Sequence, residues 1–166
     1  MRKFVLIAAI ALIASLGLSA CNKQQDGQQA TQQAQQATKP TSPTDSKAWN
    51  VYLGQIVQKN MQGMSASQPY AYMVAAGDSD DIKAQNERQL QSVQDTVARG
   101  VLPGNMLVFG GPDSTKTADL VVAAFKDAKP GSFKDVIVLF IGDKVDEQRV
   151  TDTLKPTGAT IRFVAM

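Results

Sequence analysis

Residues 136–141 read VIVLFI, six consecutive apolar residues, and are followed at once by Gly142 and Asp143. A strand sends successive side chains to opposite faces, so an unbroken apolar run describes a strand covered on both sides. Structure must therefore lie above and below this sheet. The same unit recurs along the chain. Residues 70–75 form a short apolar run that leads to Gly77-Asp78, and residues 106–109 lead to Gly110-Gly111-Pro112-Asp113. Residues 160–164 supply a last strand. Helical periodicity fills the intervals. Ile82, Leu90, Val93 and Val97 share one face of residues 80–99, with Gly100 as a stop. Ala118, Val121, Val122 and Phe125 share a face of residues 115–128, and residues 145–155 carry Val150 and Leu154.

Apolar runs alternating with helices predict parallel strands joined by right-handed crossovers. The expected fold is a small α/β three-layer sandwich of about four parallel strands, with VIVLFI central. One further helix precedes the repeat. Trp49, Tyr52, Leu53, Ile56, Val57, Asn60, Met61 and Met64 fall on one face, Asp45 or Ser46 can cap its start, and Gly63 sits near its end. Stripes at this spacing usually face a core. The sharper alternative is that the helix presents Trp49 to a partner.

The first residues carry a different signal. Arg2 and Lys3 precede fifteen uncharged residues, 4–18, and then Ser19, Ala20 and Cys21, the only cysteine. The order of basic, apolar and small residues describes a signal peptide, and the apolar run is short for a spanning helix of about 20 residues. Leu18-Ser19-Ala20-Cys21 resembles the lipobox of bacterial lipoproteins. The resemblance implies a diacylglyceryl group on the Cys21 thiol, cleavage just before it, and acylation (palmitate is the usual chain) of the new amino terminus. Two or more acyl chains anchor a protein stably where one does not. Asn22, where aspartate would favour the inner membrane in that family, implies the cell outer membrane, facing the periplasm. Residues 22–46 hold eight Gln and no large apolar residue, so nothing there offsets the entropy of ordering. They predict a disordered linker, a tether with an r.m.s. reach of roughly 25–30 Å. The expected organisation is a signal peptide at 1–20, a lipidated Cys21 with tether at 21–45, and one folded domain at 46–166.

Removing residues 1–20 leaves 17 − 2 = 15 basic side chains against 15 acidic ones. A neutral chain without a basic stripe is a poor nucleic-acid binder. The absence of histidine, with the one cysteine assigned to lipid, excludes Ser-His and Cys-His catalysis and any His- or Cys-ligated metal.

Three strand ends are each followed by glycine and then aspartate: Asp78, Asp113 and Asp143, with Asp80, Asp81 and Asp146 nearby. In a parallel sheet these loops share the carboxyl edge, where open α/β sheets place ligands. Oxygen donors alone would suit Mg²⁺ or Ca²⁺. Aspartate after a strand is equally a helix cap, and glycine makes the turn. Residues 110–117, GGPDSTKT, resemble the phosphate-binding P-loop, with Thr115 in place of its second glycine. The tail from residue 136 is similar to the end of haloacid-dehalogenase-type hydrolases. That resemblance implies a first acidic pair at Asp78 and Asp80 and a later Mg²⁺-holding acid at Asp143, with Asp146 or Glu147. Ile82 stands where that family has Thr or Val. The leading expectation is a non-catalytic binding or accessory protein, without cofactor, that meets the membrane through its lipid and an envelope protein through its domain. The alternative is a small Mg²⁺-dependent phosphohydrolase with Asp78, Asp80 and Asp143 as metal ligands.

Overall fold

The computed structural model describes residues 38–166, so Cys21, the expected signal peptide and the tether up to residue 37 lie outside the described residues. The elements follow in the order α1 (Ser46–Lys59), β1 (Tyr70–Met73), α2 (Asp80–Arg99), β2 (Met106–Gly110), α3 (Ser114–Phe125), β3 (Ile137–Gly142), α4 (Lys144–Leu154), a 3₁₀ turn at Lys155–Thr157, and β4 (Thr160–Ala165). All strand pairs are parallel, and their spatial order β1-β2-β3-β4 is the order in sequence. This is the α/β fold that the alternating pattern predicts.

Consecutive order with crossovers of one hand sends every connecting helix to one face of the sheet. The packing agrees. Val93 of α2, Val121 and Phe125 of α3, and Val150 and Leu154 of α4 bury against Leu107, Phe109, Val138 and Phe140. The register aligns Tyr72, Phe109, Phe140 and Phe163 as one row across all four strands on that face. Tyr72 stacks on Phe109 at 5.3 Å and Phe140 on Phe163 at 6.0 Å between ring centroids. Such cross-strand aromatic pairs fix register beyond the area they bury.

The alternate residues, Met106, Val108, Ile137, Leu139 and Ile141, face the other way and meet Trp49, Leu53 and Val57 of α1. Trp49, Leu53 and Val57 recur at i, i+4 and i+8, one face of a helix. Trp49 is buried, and its indole Nε1 donates to the Ser42 carbonyl at 2.9 Å. The extra helix therefore makes the third layer, and the Trp49 side chain belongs to the core, not to a partner. Asp45 is its cap, accepting from the Ala48 amide at 3.0 Å. The helix ends at Lys59, so Met61 and Met64 join the same cluster from the loop that follows.

One stripe differs from expectation. In α3 the buried set includes Leu120 and Ala124, while Val122 is only half-buried. The central helix is packed by α2 on one flank and α4 on the other, so its buried arc is wider and turned from the one that periodicity alone selects.

Candidate functional site at the carboxyl edge of the sheet

All three Gly-Asp loops do share the carboxyl edge, because every strand is parallel. Ligand crevices in open α/β sheets open where the strand order reverses and adjacent loops part to opposite faces. An order of β1-β2-β3-β4 has no such reversal. The loops after β1, β2 and β3 all turn toward the same helical layer, and their polar groups meet one another.

Each aspartate is engaged differently. Asp113 is a true cap, accepting from the Lys116 amide at 3.0 Å. At α2 the cap is Ser79, which accepts from the Ile82 amide at 3.4 Å. That leaves Asp78 exposed, where it receives the Lys116 ammonium at 2.6 Å. Lys116 Nζ also donates to the Gly77 carbonyl at 2.7 Å. The hydrogen bond and charge of Lys116 hold the Asp78 carboxyl below its ordinary value, and the bond from Asp78 holds Lys116 above its own. Asp143 precedes α4 without a side-chain cap bond, and its backbone amide donates to Ser114 Oγ at 2.7 Å.

Ser114 is the hub of a buried network. Its hydroxyl donates to Asp146 Oδ2 at 2.6 Å. Asp146, buried, also accepts from Arg149 Nε at 2.9 Å and Nη2 at 2.7 Å. Arg149 extends to the Asp119 carboxylate and to the Thr115 carbonyl at 3.0 Å, so one guanidinium ties α4 to α3. Asp119 first, and then Asp146, raise the Arg149 pKa above its ordinary value. The geometry explains two glycines. A methyl group at Gly142 would lie 2.6 Å from Ser114 Oγ and 2.5 Å from the Phe140 ring, and one at Gly111 would collide with the Val74 carbonyl oxygen.

The P-loop-like stretch is used up in the same way. Lys116 points to Asp78, and Thr117 Oγ1 donates to the Asp113 carbonyl at 2.8 Å. The metal alternative also fails to gather. Asp80 is exposed and, among the described residues, its ion-pair partner is Lys83, at 4.0 Å. Among the described residues, no three His, Cys, Asp or Glu side chains are placed to hold a metal ion. Asp78, Asp80 and Asp143 are therefore not brought together as ligands.

What the edge does offer is a cleft of about 330 Å³ between α2 and α3. Val74, Leu90 and Leu120 give it apolar walls, and Lys83, Glu87 and Lys116 give it charge. One side is pinned by Asn86, whose amide group bonds both the amide and the carbonyl of Ala75, at 3.1 and 2.9 Å. Ser114, Asp146 and Arg149 were not singled out together by sequence reasoning, yet a signal was present. Asp146 lies at i−4 from Val150 and i−8 from Leu154, on the buried stripe of its helix. A carboxylate on such a stripe needs partners.

Among the described residues, no helix is long and apolar enough to cross a membrane. Compared with known proteins, the chain matches no family model, no curated protein and no solved structure.

Proposed function

We propose that this chain is a lipid-anchored protein of the bacterial cell envelope, held by Cys21 at the outer membrane and facing the periplasm, whose α/β domain is a non-catalytic binding or accessory module. The observation that carries the non-catalytic half is the engagement of the carboxyl edge. Asp78, Asp113, Ser114, Lys116 and Asp146 are each tied into a cap, an ion pair or an interhelical bond, and Thr117 bonds back to the Asp113 carbonyl of its own helix; the Asp143 carboxylate makes no cap bond. General acid–base or nucleophilic chemistry needs such groups aimed at a substrate, within hydrogen-bond reach of the reacting atom. The α2–α3 cleft, with apolar walls and a rim of mixed charge, is the surface this reading assigns to an envelope partner. The anchored half rests on the lipobox of residues 18–21.

Growth of cells expressing the chain with a radiolabelled fatty acid tests the anchor. Label should enter the wild-type chain and be absent from Cys21→Ala, which should leave the membrane fraction. Label retained by Cys21→Ala, or none in the wild type, contradicts it. Hydrolysis of a generic phosphoester that disappears with chelator would contradict the non-catalytic half.

A further inference from the structure

We propose that the amino edge of the sheet docks on an anionic membrane surface, with Leu102 entering the lipid and Arg99, Lys126, Lys129, Lys134 and Lys155 meeting the headgroups around it. These cations are scattered in sequence, and the fold gathers them. Arg99 ends α2 and lines one hollow of about 520 Å³ with Lys126, at the end of α3, and Lys129 beyond it. The loop from α3 to β3 also carries Lys134. Its Gly131 amide donates to the Pro156 carbonyl at 3.0 Å and its Phe133 amide to the Thr157 carbonyl at 2.9 Å, which sets Lys155 beside it. All of these cations are exposed. The acids at this edge are Asp127, 3.9 Å from Lys126, and Asp135, with Asp95 and Asp152 a turn further back.

Leu102 projects from the α2–β2 loop at the same edge and is 77% exposed. Its turn is pinned. Asn105 donates to the Leu102 carbonyl from its backbone amide at 3.3 Å and from its side chain at 2.9 Å. The Gly104 amide donates to the Asp135 carbonyl at 2.7 Å, which ties the turn to the basic loop. Helix dipoles account for Arg99, Lys126 and Lys155, which stand at helix carboxyl ends, where cations are favoured. They account neither for Lys129 and Lys134, which lie in a loop, nor for Leu102. An apolar side chain held out among cations suits a bilayer interface, where apolar burial adds to attraction by anionic lipids.

Other occupants match this edge less well. Residues 1–37 hold three basic side chains, Arg2, Lys3 and Lys23, against Asp26, so they do not complement a basic surface. The described chain also begins at the opposite end. Residues 38–51 gather at the start of α1, the helix then sets Leu53 against Gly110 at the end of β2, and the turn after it brings Gly63 to Ile137 at the start of β3. An acidic protein, or the carboxyl edge of a second copy, would answer the charge but would need a pocket for Leu102. A fluid interface needs none. This inference is independent of both the lipid anchor and the α2–α3 cleft.

Tryptophan fluorescence of the full chain on vesicles of phosphatidylglycerol and brominated phosphatidylcholine tests it. Bromine quenches an indole that enters the lipid, and the wild type, whose Trp49 is buried in the domain, gives the reference signal. The added emission of Leu102→Trp should be quenched. That of Val145→Trp, 85% exposed at the carboxyl edge, should not. Quenching at Leu102→Trp should be lost on vesicles of brominated phosphatidylcholine alone, and lost again when Lys126→Gln, Lys129→Gln and Lys134→Gln are added, all at exposed positions. No quenching at Leu102→Trp overturns the proposal and leaves the basic edge for an acidic protein. Equal quenching on neutral vesicles, or quenching that survives removal of the three charges, overturns it as well.

Discussion

Ser114 joins helices that begin on neighbouring strands, and its hydroxyl serves both an amide and a carboxylate. Removing it in Ser114→Ala leaves the Asp143 amide and one Asp146 oxygen without that partner, which should cost ~1–3 kcal/mol in urea unfolding. Arg149→Ala strands the buried Asp146 charge. Its cost should be about 2 kcal/mol, less than for a fully buried pair because Arg149 is partly in water. If Arg149→Ala melts like the wild type, the network is decoration. The Asp78–Lys116 pair is exposed, and its contribution follows from the directions of the two shifts. A lowered Asp78 value means that its stabilisation is complete above the ordinary value of 3.8 and is lost as pH falls through the lower folded value. A raised Lys116 value means that its stabilisation is complete below 10.5 and is lost as pH rises through the higher folded value. The stability difference between the wild type and Asp78→Asn should thus be flat across neutral pH and shrink at both extremes. A difference that changes between pH 5 and 8 contradicts this assignment.

At the scale of elements, α1 is the piece that the repeat does not supply. Trp49 fills the second core and fastens residue 42 through its indole, so Trp49→Ala should cost about 3–5 kcal/mol, read from the shift in denaturation midpoint. A loss below about 1 kcal/mol would mean that α1 is loosely docked. The elements were legible because apolar runs and Gly stops agree at every step: β3, buried throughout, is the stretch VIVLFI as periodicity placed it, shifted by one residue. Val122 was not legible, because flanking helices and not its own periodicity decide which arc of α3 is buried. Asp78 and Asp143 could be read as caps from their place after a strand, yet only Asp113 caps with its side chain. Ser79 stands one residue nearer its helix and takes that role from Asp78. The Asp143 carboxylate makes no cap bond, and it is the residue's amide that reaches Ser114. Which atom reaches which partner depends on how β2 and β3 set their loops side by side, and that is tertiary information.

For the whole molecule, strand order decides how the carboxyl edge is used. Sequence shows that the acidic loops share an edge. It does not show whether the order reverses there, since consecutive and reversed orders arise from the same alternation of elements. With no reversal, the loops close on one another: Asp78 pairs with Lys116, Asp113 caps α3, the Asp143 amide bonds Ser114, and Asp146 in the first turn of α4 bonds Ser114 and Arg149. The most direct test is the melting temperature of the full chain with and without millimolar Mg²⁺ or Ca²⁺. An ion that binds only the native state must raise it by mass action. The structural role of these aspartates predicts the same melting temperature in all three solutions. A rise with either ion, lost in Asp78→Asn or Asp143→Asn, would mean that the carboxylates converge on a cation and would contradict the account.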